Sequence, residues 1–278
     1  MRKWVASALI ILGIGIIGVL LTFDRDEMLN FGTELYSKSK TIDASSAKNI
    51  TIESKSINVN IVRGTQKDVV VRLEGRASAK YADRFHMDVE QTGDTLHITG
   101  EYKDGFTFGF NYENIKLIVE LPEKAWGQFE VKSSSGNIRL ADIQADKLEM
   151  ASNSGNVKVE DYTVKQLDFA MASGNIVLED GTGEIKGETR SGNVHIDSEQ
   201  ILNPITLKVL SGNVVISSEN EPESAKVQFR THSGNSKVKW DQFNTVNSND
   251  DAMDGVVGSG SGNIVIDVET RSGNLRIQ

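Results

Sequence analysis

Cysteine is absent from all 278 residues. Disulfide staples, thiol nucleophiles and Cys-ligated zinc are thereby excluded, and the fold must rest on core packing and backbone pairing. Proline is scarce at 3 residues, against roughly 5% in an average chain. A backbone so poor in proline keeps its N–H donors for ladder hydrogen bonds. Basic residues are in deficit, with 30 Lys and Arg against 39 Asp and Glu and a net charge of -9. A nucleic-acid partner needs a basic face, so none is expected. The histidines are four, His86, His97, His195 and His232, and none lies in H-E-x-x-H or beside a second His at ligand spacing. There is no G-x-S-x-G elbow and no G-G-x-G-x-D calcium nonapeptide. Asp250, Asp251 and Asp254 miss the calcium-loop register and have no closing Glu. The sequence therefore calls for no cofactor, no metal and no catalytic residue. Carboxylates assembled from separate parts of a repetitive fold would escape a motif search, so a glycan-processing β-helix enzyme stands as the alternative reading.

One long hydrophobic run is present. Residues 4–23 carry no charge, and a helix of that length spans about 30 Å, the thickness of a bilayer core. Arg2 and Lys3 precede it, and Asp24, Asp26 and Glu27 follow. The positive-inside rule puts residues 1–3 in the cytoplasm and everything after Phe23 outside, as a single-pass cell-membrane protein. A cleaved signal peptide is the competing reading, but Asp24-Arg25-Asp26-Glu27 offers no A-x-A-like site. Gly13-x-Gly15-x-x-Gly18 fits a dinucleotide fingerprint only as a string, with no strand before it. Residues 24–47 are polar and read as a spacer.

What fills the rest is a repeat. Ser-Gly-Asn occurs eight times, with bend residues Gly136-Asn137, Gly155-Asn156, Gly174-Asn175, Gly192-Asn193, Gly212-Asn213, Gly234-Asn235, Gly262-Asn263 and Gly273-Asn274. Successive spacings of 19, 19, 18, 20, 22, 28 and 11 define a unit of about 19 residues. The first and third residues after Asn are apolar in fifteen of sixteen cases, and the sixth and fourth before Ser in fourteen of sixteen. Each unit is therefore strand, bend, strand with one face buried. A unit too small to bury its own face must stack on its neighbours, which predicts an all-β parallel solenoid over 123–278 with about one repeat per coil. Gly supplies φ > 0 at the bend, and stacked Asn side chains are placed to form an amide ladder. Ser56-Ile57-Asn58 keeps the same flanks without the Gly. Residues 48–122 otherwise read as a less regular β region capping the solenoid.

These residues resemble the bacterial "putative adhesin" domain family, whose members carry repeated S-G-N or S-G-D bends between short apolar strands. With the amino-terminal span in front, the chain is similar to the LiaG-type membrane-anchored proteins of Gram-positive cell-envelope stress operons. The resemblance implies a surface β-solenoid of unknown biochemical activity, with a place in envelope-stress response. Taken with the absence of catalytic motifs, the sequence reads as a non-catalytic binding or scaffold protein at the envelope, with an envelope polymer or protein as the expected partner.

Two features suit recognition. Phe106, Phe108, Phe110 and Tyr112 share one face of an extended segment, as cap filling or as an apolar platform. The second residue after each bend Asn points outward and is never acidic: Arg139, Lys158, His195, Lys237 and Arg276 alternate with valines. That column is either a basic stripe for anionic partners or is neutralised by neighbouring acids such as Glu130, Glu149 and Asp168. Finally, the last coil, with Leu275 and Ile277 facing inward and the chain stopping at Gln278, is expected to present an open edge for end-to-end self-association.

Overall fold

The structure, a computed structural model, describes residues 33–103, 114–260 and 264–278. The apolar run 4–23, the aromatic segment with Phe106, Phe108, Phe110 and Tyr112, and the bend Gly262-Asn263 lie outside the described residues. Among the described residues no helix is long and apolar enough to cross a membrane.

The strands follow in order β1 (Thr33–Ile42), β2 (Asn49–Ser54), β3 (Asn58–Arg63), β4 (Val69–Ser78), β5 (Phe85–Thr92), β6 (Thr95–Tyr102) and β7 (Asn114–Leu121). Then come β8 (Ala125–Ser135), β9 (Ile138–Ser154), β10 (Val157–Ser173), β11 (Ile176–Glu179), β12 (Thr182–Ser191), β13 (Val194–Gln200) and β14 (Ile205–Ser211). The last are β15 (Val214–Asn220), β16 (Ala225–Ser233), β17 (Ser236–Val238), β18 (Phe243–Ser248), β19 (Ala252–Val257), β20 (Ile264–Ser272) and β21 (Leu275–Ile277).

Strands before a bend stack in parallel as one wall, and strands after it stack as a second. The first wall runs β6, β2, β8, the end of β9, the end of β10, β12, β14, β20, β16. The second runs β7, β3, the start of β9, the start of β10, β11, β13, β15, β21, β17. Period-two alternation turns Phe129, Val131, Leu148, Leu167 and Leu207 of the first wall inward against Ile138, Leu140, Val157, Val159 and Ile196 of the second, all buried. The two walls enclose one continuous core.

The bends lie along one edge, and the expected ladder is present. The Asn58 Oδ1 accepts the Asn137 N–H at 2.8 Å. The pattern repeats through Asn156, Asn175, Asn193, Asn213 and Asn274 to Asn235 at 2.9–3.1 Å. Side-chain amides bond up the same column, as from Asn193 Nδ2 to Asn175 Oδ1 at 3.0 Å. Gly136, Gly155, Gly174, Gly192, Gly212 and Gly234 all have φ between 111° and 159°. A Cβ on Gly174 would meet the Gly155 carbonyl oxygen at 2.0 Å, so the close stacking of bends and the left-handed backbone demand glycine together. At the opposite edge, which the repeat reading did not anticipate, Asp142, Asp161 and Asp180 take φ of 59°, 51° and 50°. They turn the chain from one wall to the next, as Asp can in the left-handed region.

Spatial order differs from chain order at both ends. The Ser272 coil sits between the Ser211 and Ser233 coils. At the other end the Ser56 coil sits between the β6/β7 layer and the β8/β9 coil. The cause is capping. β19 pairs antiparallel with one edge of β16, with β18 outside it, and this makes the Ser233 coil terminal. Likewise β5 pairs antiparallel with β6, and β4 followed by β1 with β7. Each strand has two edges, so a capped coil leaves only its inner side for a partner.

Four expectations are corrected here. Residues 33–42, assigned to a polar spacer, form the outermost strand β1. The copy of the repeat at Ser56-Ile57-Asn58 is present as a full coil over residues 49–63, so the regular stack begins well before residue 123. The Ser261 motif founds no coil of its own, because the strand after it, β20, is the strand before the Ser272 bend, which explains the spacing of 11. The last coil has no open edge: Leu275 and Ile277 are 1% and 0% exposed and β21 is paired on both sides. The free edge of that wall is β17, a three-residue strand carrying Lys237, short and charged as protected edges are.

Candidate binding face

In-register parallel stacking puts residues of equal offset from the bend in rows, about 4.8 Å apart from coil to coil. On the outer face of the first wall, the row three before Ser runs Glu53, Lys132, Ala151, Ala170, Glu188, Lys208, Glu269, Arg230. The next row towards the bends includes Asn153, Ala172, Arg190, Leu210 and Arg271. Alanines occupy the middle coils and long charged side chains the flanking ones. The result is an open, shallow trough of about 1220 Å³ along this wall. A second depression of about 480 Å³ adjoins it and shares Ala151 and Ala170 as floor.

The floor is exposed at Ala170, over buried Met150, Phe169 and Met171. Phe169 also explains a break in the apolar pattern. Gly187 takes an inward position in the next coil, and its missing Cβ leaves room for the Phe169 ring, whose Cζ lies 2.0 Å from where that Cβ would be. Of the inward hydroxyls under the bend-side rim, Ser54 Oγ donates to the Ile57 carbonyl at 2.6 Å and Thr270 Oγ1 to the Gly273 carbonyl at 3.3 Å, whereas Thr189 Oγ1 is buried without a partner among the described residues.

The carboxylates of this wall are spread along it, and those beside the alanine floor on the Glu130, Glu149 and Asp168 row are paired to lysines. Lys147 bridges Glu149 at 2.5 Å and Asp168 at 3.2 Å, and Lys132 holds Glu130 at 2.7 Å. The hydrogen bond from Lys147 holds the Glu149 carboxyl below the usual range against partial burial. Among the described residues no group of three or more His, Asp or Glu is placed to hold a metal. The wall can offer an extended partner a flat small-residue floor between ridges of mixed charge.

The outward column after the bends does exist, and unequal spacings do not break it. Lys158 lies between Arg139 and Val177, His195 between Val177 and Val215, and Arg276 between Val215 and Lys237. Yet it is not a continuous basic stripe. Arg139 pairs with Glu160 at 2.8 Å, and Lys158 with Glu160 and Glu179 at 2.9 Å each. The neutralising acids form the row two positions further along this wall, on the same strand for Lys158–Glu160 and on the neighbouring coil for Arg139–Glu160 and Lys158–Glu179. Glu130, Glu149 and Asp168, the acids expected to do this, lie on the other wall. Among the described residues His195, Lys237 and Arg276 of this column have no ion pair, and the last two lie together at the far end. The alanine floor was overlooked in the sequence because small residues carry no motif. Its signal is that Ala151 and Ala170 stand three before Ser, an offset that is charged in every other stacked coil.

The family model described as "Toastrack DUF4097" matches residues 47–278. No curated protein matches the chain. Among solved structures, a "putative cell adhesion protein" from Clostridium sporogenes is 13% identical over 88% of this chain and 99% of its own, with a TM-score of 0.43. A "putative adhesin" from Bacteroides fragilis is 12% identical over 88% and 97%, with a TM-score of 0.47. A "Putative lipid binding protein" from Parabacteroides distasonis is 18% identical over 87% and 97%, with a TM-score of 0.29. At such identities and scores they assign no ligand to this chain.

Proposed function

The chain belongs to the Toastrack DUF4097 family, and from that premise we propose that it is a non-catalytic binding protein of the cell envelope, held outside the membrane by residues 4–23 and using the trough of the first wall as its binding face. The observation that carries the reading is the form of that face. It is a shallow surface running over successive coils, with an alanine floor, and its carboxylates are dispersed along the wall, several of them paired to lysines, instead of converging in a deep cleft. A general acid and base need opposed, unequal environments around one substrate atom. A repetitive face suits an extended envelope polymer or protein segment, contacted by equivalent residues coil after coil. The charge run Arg2-Lys3 before the apolar stretch and Asp24 to Glu27 after it supports the outward orientation. A role in envelope stress rests on the resemblance to LiaG-type proteins.

The test is photocrosslinking of the full chain in intact cells. A photoreactive residue at Ala170 is expected to capture a partner, and one at Arg139 on the other wall is not. Equal capture at both, or capture at Arg139 alone, rejects the trough as the binding face. Turnover of an isolated envelope glycan by the purified full chain would transfer the face to the enzyme reading.

A further inference from the structure

The segment Ile264–Gln278 is the last part of the chain and yet not the last part of the stack. β20 lies between β14 and β16, and β21 between β15 and β17. Backbone bonds hold it from both sides. The Val214 N–H donates to Asn274 at 2.8 Å and Gln278 to Ile216 at 3.0 Å. Opposite them Leu275 donates to Asn235 at 3.0 Å, and the Lys239 N–H to Ile277 at 2.9 Å. Ile266, Val268, Leu275 and Ile277 are buried in the common core. Its covalent tie leaves β19 at Val257 through Gly258 and Gly260, both left-handed at φ 58° and 64°.

The slot this segment fills is bounded by two edges of the same repeat. β16 cannot take a further partner outside, since β19 occupies that edge. The inner edges of the Ser211 and Ser233 coils thus need one inserted coil, and without it both would stand unpaired in the middle of the stack. Nothing in the register requires that the coil come from the same chain. A second copy presents identical residues to identical edges, and only the path of the glycine-containing linker changes. We propose that Ile264–Gln278 is an exchangeable coil, and that two copies of this chain join by each donating it to the other. The anchored chains proposed above would meet at high local concentration on one surface, but the inference itself rests on the register alone.

Lys208 and Glu269 face each other across β14 and β20, at the Cα separation of a disulfide. The chain has no cysteine, so introduced pairs are unambiguous. In the full chain, K208C with E269C in one polypeptide should close within a monomer, which establishes folding and register. Two differently tagged full chains, one K208C and the other E269C, are then coexpressed. Exchange predicts a covalent heterodimer several-fold above the dimer formed by either variant alone. The V215C and R276C pair on the second wall, opposite each other across β15 and β21, should behave alike. K132C with A151C, facing across β8 and β9 in the stack interior, should give no such excess. Heterodimer no greater than the single-variant background at both terminal pairs overturns the proposal. So does equal crosslinking from the interior pair, which would mark aggregation.

Discussion

Gly174 and Gly93 separate two reasons for a glycine. Both have positive φ, 111° and 62°. Around Gly93 an added Cβ meets nothing within 4 Å, whereas at Gly174 it meets the Gly155 carbonyl at 2.0 Å. Gly93→Ala is therefore expected to cost about 1 kcal/mol, the left-handed penalty alone. Gly174→Ala should cost clearly more, on the order of 3 kcal/mol, because two stacked bends must separate. Paired chemical denaturation measures the difference, and equal costs would show that the stack absorbs the contact. Asn175 is similarly exposed and structural. Its Oδ1 accepts the Asn193 backbone N–H at 3.0 Å, and Asn175→Ala leaves that donor to water at a cost of about 1 kcal/mol.

At the scale of elements, the ion-paired rows tie stability to pH. Lys158 donates to Glu160 and lowers its carboxyl pKa, and Lys147 does the same for Glu149. A carboxylate whose folded pKa lies below its unfolded value adds stability that is fully present above the unfolded pKa and lost as pH falls through the folded one. The melting temperature is thus expected to fall on acidification below about pH 4.3, the ordinary Glu value. Glu160→Gln should flatten that slope while lowering stability at neutral pH only modestly, since the Arg139 and Lys158 side chains that hold this carboxylate are themselves 61% and 40% exposed. A pH–melting profile that is unchanged by Glu160→Gln would assign the acid sensitivity elsewhere. The ends of the stack are elements too. β1 closes the second wall with Ser37, Lys38, Ser39 and Lys40 along the outermost strand, and β17 ends it with Lys237. Charged, short or capped edges discourage addition of further strands. Open end-to-end growth is therefore less suited to these ends than exchange of an interior coil.

For the whole molecule the decisive expectation is orientation. Protease added to protoplasts should release a fragment of the β domain, since the described stack begins at Thr33, close to the proposed anchor. Full protection of the domain would contradict an external position, and spontaneous release without protease would favour cleavage of the apolar run.

Much of this architecture is determined by the chain locally. The 19-residue period, the alternation around Asn, and Gly followed by Asn at each bend specify two walls, an inside, an outside and the ladder joining Asn58 to Asn213. Each of those features depends on residues within one repeat or on the next repeat in line, and such information is carried in sequence order. What only the tertiary structure decided depends on competition for strand edges. Any Ser-Gly-Asn coil can stack on any other, so the repeat cannot say that Leu275 lies between Val214 and Ser236, or that residues 33–42 become a strand. Those placements follow from β19 capping β16 and β4 capping β7, antiparallel contacts that no motif announces. The trough has the same origin. Ala151 and Ala170 are unremarkable apart, and form a floor only because parallel register sets them side by side between rows of long charged side chains.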